Sequence, residues 1–214
     1  MREDAELTEL AGGLRALGLP DDAALIDRLV AYAGSLRRWA GSYNLVAPGD
    51  LVQLVPRHLL DSLSIHPYLP DGRMLDVGSG AGLPGVPLAI VRPDLAVTVL
   101  DSAGKKARFM RHVKRELGLR NLEVEHARVQ DLRPDRSFDA VVSRAFSTLG
   151  EFARAVRHLA GPGTRLLAMK GKHPARELDD LPPWLETVSV ERIEVPDLHA
   201  ERHLVIMCLS PEAP

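Results

Sequence analysis

Closely spaced glycines between residues 76 and 85 form the segment whose residue types most directly indicate chemistry. The segment reads DVGSGAGLPG, and it starts at Asp76. Glycine readily adopts positive φ and lets a ligand approach the backbone closely. A helix that begins after such a turn presents free N–H groups. The segment therefore predicts a loop between a strand and a helix that binds a nucleoside cofactor.

Two nucleoside cofactors compete for this loop. Residues 80–85 match G-x-G-x-x-G, the dinucleotide fingerprint, so an NAD-dependent oxidoreductase is one interpretation. Asp76, at the end of the predicted strand, would repel a pyrophosphate but attract the ammonium or sulfonium cation of S-adenosylmethionine. Pro84 also stiffens the helix start that dinucleotide-binding folds use for the pyrophosphate. These two details favour S-adenosylmethionine and leave the NAD alternative open.

Asp101 ends the next predicted strand after the glycines. An acidic residue roughly 20 positions beyond the glycine turn can accept hydrogen bonds from ribose hydroxyls. Both cofactors carry that ribose, so Asp101 supports nucleoside binding without choosing between them. Considered alone, Asp101 could equally cap the helix that follows.

The predicted helix over residues 103–117 carries concentrated positive charge. No acidic residue occurs between residues 104 and 115, and an apolar stripe leaves the charges facing solvent. The cationic residues are Lys105, Lys106, Arg108, Arg111, Lys114 and Arg115. An isolated run of this kind is most simply a solvated helix face. Beside a cofactor loop it can follow the phosphates of a nucleic acid without reading sequence.

Short apolar segments alternate with helix-length segments from residue 72 onward, which predicts an α/β fold with a parallel sheet. The predicted strands cover residues 73–77, 96–100, 122–125, 138–142 and 165–169, and the predicted helices cover 86–91, 103–117 and 149–159. Two further strands, at 187–195 and 203–209, follow each other without a helix between them. This order indicates an antiparallel hairpin that closes the sheet.

The apolar pattern of residues 1–70 predicts a helical region. We expect this region to pack on a single α/β unit formed by residues 71–214. The first helix ends at Gly18-Leu19-Pro20, and Asp21 or Asp22 caps the second. After a turn around Asn44 to Gly49, Asp50 caps a third helix that runs to Ile65. We find no internal repeat or linker that would divide the chain further.

Composition excludes several classes of protein. Hydrophobic residues make up 45% and charged residues 26%, and the net charge is −2, so bulk charge does not drive nucleic-acid binding. Cys208 is the single cysteine, which excludes an internal disulfide. The first residues, MRED, are too acidic for a signal peptide, and no apolar run reaches the ~18 residues of a membrane span. We expect a cytoplasmic, monomeric protein without membrane contact or bound metal.

Taken together, these residues resemble one family over nearly the whole chain: ribosomal RNA small-subunit methyltransferase G, also called glucose-inhibited division protein B. The matching segments are YNL (43–45), HLLDSL (58–63), residues 76–85, LDS (100–102) with Lys105 and Lys106, SRAF (143–146), KG (170–171) and ERHLV (201–205). HLLDSL and SRAF are more specific than the glycine turn. The resemblance implies a Rossmann-like class I S-adenosylmethionine-dependent methyltransferase with a mostly parallel seven-stranded sheet, a C-terminal antiparallel hairpin and an N-terminal helical extension.

The resemblance also implies a reaction, the methylation of N7 of a single guanine in the decoding-region loop of 16S ribosomal RNA. The partner would be that RNA or the small ribosomal subunit. The cofactor contacts carried over by motif are Gly78, Leu83, Val129, Gln130 and Arg144, and the residue arguments above add Gly80 and Asp101. Many members have Phe at Leu83 and Glu at Gln130, so Gln130 keeps an acceptor but lacks a charge.

The reaction predicts few catalytic groups, because guanine N7 has an available lone pair and needs no general base. Arg144 and His58 are the candidates. Arg144 must leave N7 open, so we expect it to hold the cofactor carboxylate, an RNA phosphate or guanine O6, with a structural salt bridge as the alternative. His58 and Asp61 lie three apart on one helix face, either as a packing pair or on the RNA-facing rim.

The expected RNA contacts are Lys105, Arg108, Arg111, Lys170 and Arg202. Two other functions stay open at this point. One is the NAD-dependent oxidoreductase, and the other is a non-catalytic RNA-binding protein that keeps the fold.

Overall fold

The computed structural model describes residues 2–43, 45–144 and 146–210. Met1 of the acidic start, Asn44 of the predicted turn, Ala145 of the SRAF segment and residues 211–214 lie outside the described residues. None of the described helices is long and apolar enough to cross a membrane.

Seven strands form one sheet in the order β3-β2-β1-β4-β5-β7-β6. They are β1 Arg73–Val77, β2 Ala96–Leu100, β3 Leu122–Glu125, β4 Phe138–Ser143, β5 Ala160–Lys170, β6 Leu185–Arg192 and β7 His203–Leu209. The first five strands pair in parallel, and β7 is antiparallel to both β5 and β6. The predicted parallel sheet with a closing hairpin is confirmed.

The strand order reverses at β1, which pairs with β2 on one side and with β4 on the other. In open α/β sheets, ligands bind outside the carboxyl ends of the strands at such a switch point. The glycine segment follows β1, Asp101 follows β2 and Arg144 follows β4. The topology therefore brings these three predicted site segments to one edge of the sheet.

The helices that follow the strands are α4 Gly85–Val91, α5 Gly104–Glu116, α6 Leu149–Val156 and α7 Ala175–Asp179. Helix α4 is buried along its whole length. Helix α5 buries Ala107, Phe109, Met110 and Val113 against the sheet and leaves its cationic side chains outward. The predicted helix at 149–159 ends in a 3-10 turn at Arg157–Leu159, and the short α7 was not predicted.

Strands β5 and β6 differ from their predicted bounds. Strand β5 begins at Ala160, because Phe138 pairs with Ala160 and the register then shifts so that Ala140 pairs with Arg165. Residues 160–164, between the predicted helix at 149–159 and the predicted strand at 165–169, are thus part of an irregular strand. Strand β6 ends at Arg192, opposite His203, where its partner β7 begins.

In the N-terminal region, α1 spans Arg2–Ala16 and α2 spans Ala23–Tyr43. Asp22 is the residue at the second helix start that accepts a backbone bond, from Leu25 N–H at 3.1 Å. Both helices pack into the same apolar core as α4 and α5. The division of the chain at residue 70 stays a prediction.

The single helix predicted from Asp50 to Ile65 is wrong. The chain forms a 3-10 helix at Pro48–Gln53, a π-helical turn at Val55–Leu60 and a short α3 at Asp61–Leu63. Pro56 lacks an N–H and its ring would clash with the carbonyl four residues earlier, so a regular α-helix cannot pass through it. A 3-10 turn at His66–Tyr68 then leads into β1. Such π turns frequently occur at functional sites.

Candidate active site

The glycine loop, residues 78–84, connects β1 to α4. Gly78, Gly80 and Gly82 have φ of 71°, 61° and 90°, in the left-handed region that side chains rarely adopt. A Cβ at Gly82 would lie 2.4 Å from the Val86 side chain, so packing also requires glycine there. A Cβ at Gly78 would meet no atom within 4 Å. The backbone at Gly78 therefore borders open space that a ligand can fill.

Asp76 lies beneath this loop and is fully buried. Its Oδ2 accepts the Gly85 N–H at 2.8 Å, and its Oδ1 is buried without a hydrogen-bond partner. Burial raises the pKa of this carboxyl to about 7, against the lowering effect of the Gly85 bond. The carboxyl group holds the loop and does not line the cavities described below, which differs from the expected contact with a cofactor cation. Asp76 also accepts the Gly85 N–H at the start of α4, which a pyrophosphate would otherwise bind.

Asp101 joins the loop to the start of α5. Its Oδ2 accepts the Gly80 N–H at 2.9 Å and its Oδ1 accepts the Ala103 N–H at 2.8 Å. The Lys106 ammonium lies 3.5 Å from Oδ2. Asp101 thus supports the helix start and also faces the adjacent cavity, so both sequence interpretations describe the same side chain.

The nucleoside cavity, about 420 Å³ in volume, opens at the carboxyl ends of β1 and β2. Its wall includes Gly78, Asp101, Val129 and Gln130, four of the predicted cofactor residues, together with Phe146. Acceptor oxygens for a ribose, apolar groups for a purine and an open glycine backbone stand on one wall. These residues fit the nucleoside part of S-adenosylmethionine.

The other three predicted cofactor residues lie elsewhere. Gly80 contributes its N–H to Asp101 within the loop. Leu83 is 5% exposed and anchors its end of the loop in the apolar core. Arg144 lines a different cavity.

This second cavity, the acceptor cavity, has a volume of about 320 Å³ and is lined mainly by charged side chains. It brings together His58, Asp61, Arg144, Lys170 and Arg202, which the sequence analysis placed at the site from separate segments. Asp50 and Arg57 also line it, and sequence reasoning missed both as site residues. Asp50 had only the signal of a helix cap, and Arg57 had none beyond its place next to His58.

Asp61 connects two arginines inside the acceptor cavity. It is 3% exposed, its Oδ1 accepts from Arg202 Nε at 2.7 Å, and its Oδ2 lies 3.4 Å from Arg144 Nη1. Arg202 precedes β7 and Arg144 follows β4, so one carboxylate fixes side chains from two distant segments. The salt bridge predicted as the alternative for Arg144 is present.

His58 accepts a hydrogen bond from Arg144 Nη2 at its Nδ1, over 3.0 Å. Arginine can only donate, so the His58 proton is assigned to Nε2. Burial first, and then the positive charge of Arg144, lower the pKa of His58 to about 4. His58 is therefore a neutral acceptor at pH 7. Its Nε2 has no hydrogen-bond partner, and the Asp50 Oδ2 stands 3.6 Å away.

Lys170, at the end of β5, is mostly buried and pairs with Glu177 of α7 at 2.8 Å. Its ammonium also donates to the Ser147 carbonyl at 3.3 Å. Lys170 therefore ties the segment after β4 to the wall of the acceptor cavity.

The two cavities open at the carboxyl ends of neighbouring strands. Arg144 lines the acceptor cavity and Phe146, two residues further on, lines the nucleoside cavity. Strands β1 and β4 pair in parallel, so both cavities lie at the same edge of the sheet. The arrangement suits group transfer between two bound molecules.

The cationic face of α5 forms a separate surface groove. Arg108 and Arg111 line it with Lys114, Arg115 and His126. Lys105 lies to one side, with its ammonium 5.9 Å from the centroid of the Tyr43 ring. Lys114 pairs with Glu123 at 2.9 Å. The groove is therefore positively charged and distinct from the two cavities.

Comparison with solved structures supports the fold. An S-adenosylmethionine-dependent methyltransferase from Clostridium acetobutylicum superimposes with a TM-score of 0.60 at 12% identity, over 81% of this chain and 98% of that one. An S-adenosylmethionine-dependent methyltransferase from Aquifex aeolicus gives a TM-score of 0.56 at 18% identity, over 83% and 98%. The class I methyltransferase fold is confirmed.

Comparison with known sequences identifies the family. The profile described as GidB, rRNA small subunit methyltransferase G, matches residues 25–205. Ribosomal RNA small subunit methyltransferase G of Pseudomonas aeruginosa is 52% identical over 93% of this chain and 94% of that protein. The protein of the same name from Stutzerimonas stutzeri is 48% identical over 95% and 96%. The chain belongs to the rRNA small subunit methyltransferase G family.

Proposed function

We propose that this protein transfers a methyl group from S-adenosylmethionine to N7 of a single guanine in 16S ribosomal RNA. The observation that carries the proposal is the pair of cavities at the ends of neighbouring strands, one suited to a nucleoside and one lined by fixed cationic side chains. We choose ribosomal RNA of the small subunit as the substrate because the relatives are named for it. We also propose that the protein is a monomer and that it is located in the cytoplasm. Its substrate would be the RNA itself or the small subunit.

On the cofactor side, bound S-adenosylmethionine would supply a methyl group on a sulfonium centre. Asp101 uses one lone pair of each oxygen for Gly80 and Ala103, and a carboxylate offers about four acceptor sites. The remaining sites can accept both ribose hydroxyls. Val129 and Gln130 would contact the base, and Gln130 can accept a hydrogen bond without a charge.

On the RNA side, Arg144 is held in place by His58 and Asp61 and has further N–H donors available. These donors can bind guanine O6, a phosphate or the carboxylate of the cofactor. Neutral His58 adds no positive charge beside the base. Since guanine becomes cationic on methylation at N7, the Asp50 and Asp61 carboxylates in the cavity wall would stabilise the product-like charge.

RNA binding would extend beyond the acceptor cavity. Lys105, Arg108 and Arg111 of α5 would contact phosphates, which gives salt-dependent affinity without sequence discrimination. Lys170 and Arg202 already pair with Glu177 and Asp61, so they would contribute positive potential and hold the cavity wall.

A labelling experiment tests the proposal. Small-subunit RNA and small subunits from a strain that lacks the enzyme are incubated with the protein and methyl-labelled S-adenosylmethionine, and modified guanines are mapped. We expect label on N7 of one guanine. Label on another atom would refute the N7 assignment and keep the enzyme class.

The same preparation tests the two alternatives. Salt-dependent RNA binding without label would favour a non-catalytic RNA-binding protein. A melting temperature that rises with NAD but not with S-adenosylmethionine would favour the oxidoreductase. Sedimentation of the purified protein tests whether it is a monomer.

A further inference from the structure

Tyr32 reaches the glycine loop from the N-terminal helical region. Its hydroxyl, on α2, donates to the Ala81 carbonyl at 2.8 Å. Tyr32 is fully buried and Ala81 is 2% exposed, so water cannot replace either partner. Within the described residues no second donor reaches this carbonyl. Burial raises the pKa of the Tyr32 phenol well above its usual value, so the hydroxyl keeps its proton.

The loop needs such fixing because its glycines have wide conformational freedom. Asp101 accepts from Gly80, and Asp76 accepts from Gly85, so the sheet supplies partners near the beginning and at the end of the loop. The tyrosine hydroxyl takes the carbonyl of Ala81 between these two points. Within the loop, the Gly82 and Leu83 N–H groups also donate to the Ser79 carbonyl, at 2.8 and 2.9 Å. The Tyr32 bond differs from all of these because it comes from a helix that precedes the sheet in sequence.

We infer that Tyr32 is a positioning residue for cofactor binding, acting through the Ala81 carbonyl on the loop that borders the nucleoside cavity. None of the described residues of α1 or α2 lines that cavity, so this contribution is indirect. The identity of the ligand rests on the proposed function. The fixing of the loop does not, since it is a property of the protein alone.

The structure provides a matched pair of variants for the test. Tyr32→Phe removes the hydroxyl bound to Ala81 and keeps the ring. Tyr43→Phe removes a hydroxyl from the same helix, but that hydroxyl lies 3.5 Å from Arg108 and does not touch the loop. Both are made in the full chain, and urea unfolding verifies that each is folded.

Three measurements follow. By calorimetry, we expect the Kd for S-adenosylmethionine to rise roughly five- to tenfold in Tyr32→Phe and less than twofold in Tyr43→Phe. In the cofactor-free proteins, hydrogen exchange at the amides of residues 78–85 should be faster in Tyr32→Phe alone. In the methylation assay, KM for S-adenosylmethionine should rise while kcat and KM for RNA stay unchanged.

A folded Tyr32→Phe with unchanged Kd and unchanged loop exchange would overturn the inference, even if its melting temperature fell. Equal effects in the two variants would overturn it as well. If wild-type protein bound no S-adenosylmethionine, the proposed function would fail, and the exchange comparison would still decide the role of Tyr32. If Tyr32→Phe did not fold, 3-fluorotyrosine at position 32 should slow loop exchange by donating a stronger bond, and no change would overturn the inference.

Discussion

The nucleoside cavity and the acceptor cavity share the edge of one sheet but are built in different ways. Gly78 and Asp101, which follow β1 and β2, place a glycine backbone and an acidic side chain on the first cavity. The second uses charged side chains from the irregular helical segment, from β4 and β5 ends and from the start of β7. The first cavity is therefore set by local geometry, and the second by long-range charge pairing.

Asp61→Asn should have the largest effect of the variants, and that effect should be confined to the acceptor cavity. Removing one partner of a buried ion pair typically costs 3–5 kcal/mol, and since the two arginines are partly exposed we expect about 3 kcal/mol less unfolding free energy. Methyl transfer should be lost, while the Kd for S-adenosylmethionine should stay within about twofold. Urea unfolding measures the free energy of unfolding, calorimetry measures the Kd, and the labelling assay measures methyl transfer. Asp21→Asn, which breaks an exposed pair with Arg15, is the control and should cost less than about 1 kcal/mol.

Arg144→Ala tests which cavity this residue serves. Removing one positioned donor from a reacting group typically costs about 100-fold in rate, and we expect that loss in kcat/KM for methylation. Because Arg144 lines the acceptor cavity, cofactor affinity should change by less than about threefold. A larger loss of affinity would assign Arg144 to the cofactor carboxylate. Unchanged affinity together with unchanged methylation would eliminate both roles.

Two buried groups, His58 in the acceptor cavity and Asp76 beneath the glycine loop, should change the free energy of unfolding with pH in opposite directions. His58 has a pKa of about 4 in the folded protein, below its ordinary value, so it takes up protons on unfolding and stability falls as pH drops from 6.5 towards 4. Asp76 has a pKa of about 7, above its ordinary value, so it releases protons on unfolding and stability falls as pH rises from 4 through 7.

Variants reveal these opposing contributions, which partly cancel in the wild type. Relative to wild type, His58→Asn should gain about 2 kcal/mol between pH 7.5 and pH 5, and Asp76→Asn should gain roughly 2 kcal/mol between pH 5 and pH 7.5. Urea titrations at the two pH values supply the free energies of unfolding. Parallel pH profiles for the wild type and both variants would contradict the assignment.

Asp101→Asn should have the smallest effect of the variants, a weaker binding of S-adenosylmethionine in the nucleoside cavity. Asparagine loses the charge beside Lys106 and one acceptor oxygen, so we expect the Kd for S-adenosylmethionine to rise about tenfold. Saturating cofactor should restore the rate, because no acceptor-cavity contact is removed. A fall in kcat at saturation would show that the two cavities are not independent. Asp94→Asn, an exposed acidic residue outside the cavities, is the control.

The sequence predicts the parts of the molecule that depend on near neighbours. Strands β1, β2, β3 and β7 have their predicted bounds because each is a short segment with apolar residues, continuous or alternating, that is closed by polar or turn residues. The beginning of β5 could not be found in this way, since it depends on how Ala160 pairs with Phe138 across the sheet. The irregular segment before α3 depends on how the chain accommodates Pro56.

The same distinction applies to the candidate site. The glycine turn and Asp101 are visible as local patterns, whereas His58, Arg144 and Arg202 were assigned through family segments whose spacing alone indicates no contact. Tyr32 gave no signal, because a tyrosine on an apolar helix face has the pattern of an ordinary core residue. Its bond to Ala81 depends on how α2 packs on the sheet.

The Asp61 bridge also has a consequence for the order in which the enzyme is completed during synthesis. Asp61 and Arg144 are both present once the first four strands have been made, but Arg202 directly precedes β7, the last strand of the sheet. Strand β7 pairs with β5 on one side and with β6 on the other, so the position of that arginine depends on the last strand of the sheet. The described residues that line the nucleoside cavity all precede β5 in the chain, whereas the acceptor cavity includes Arg202, so its lining is complete only when most of the sequence has been made.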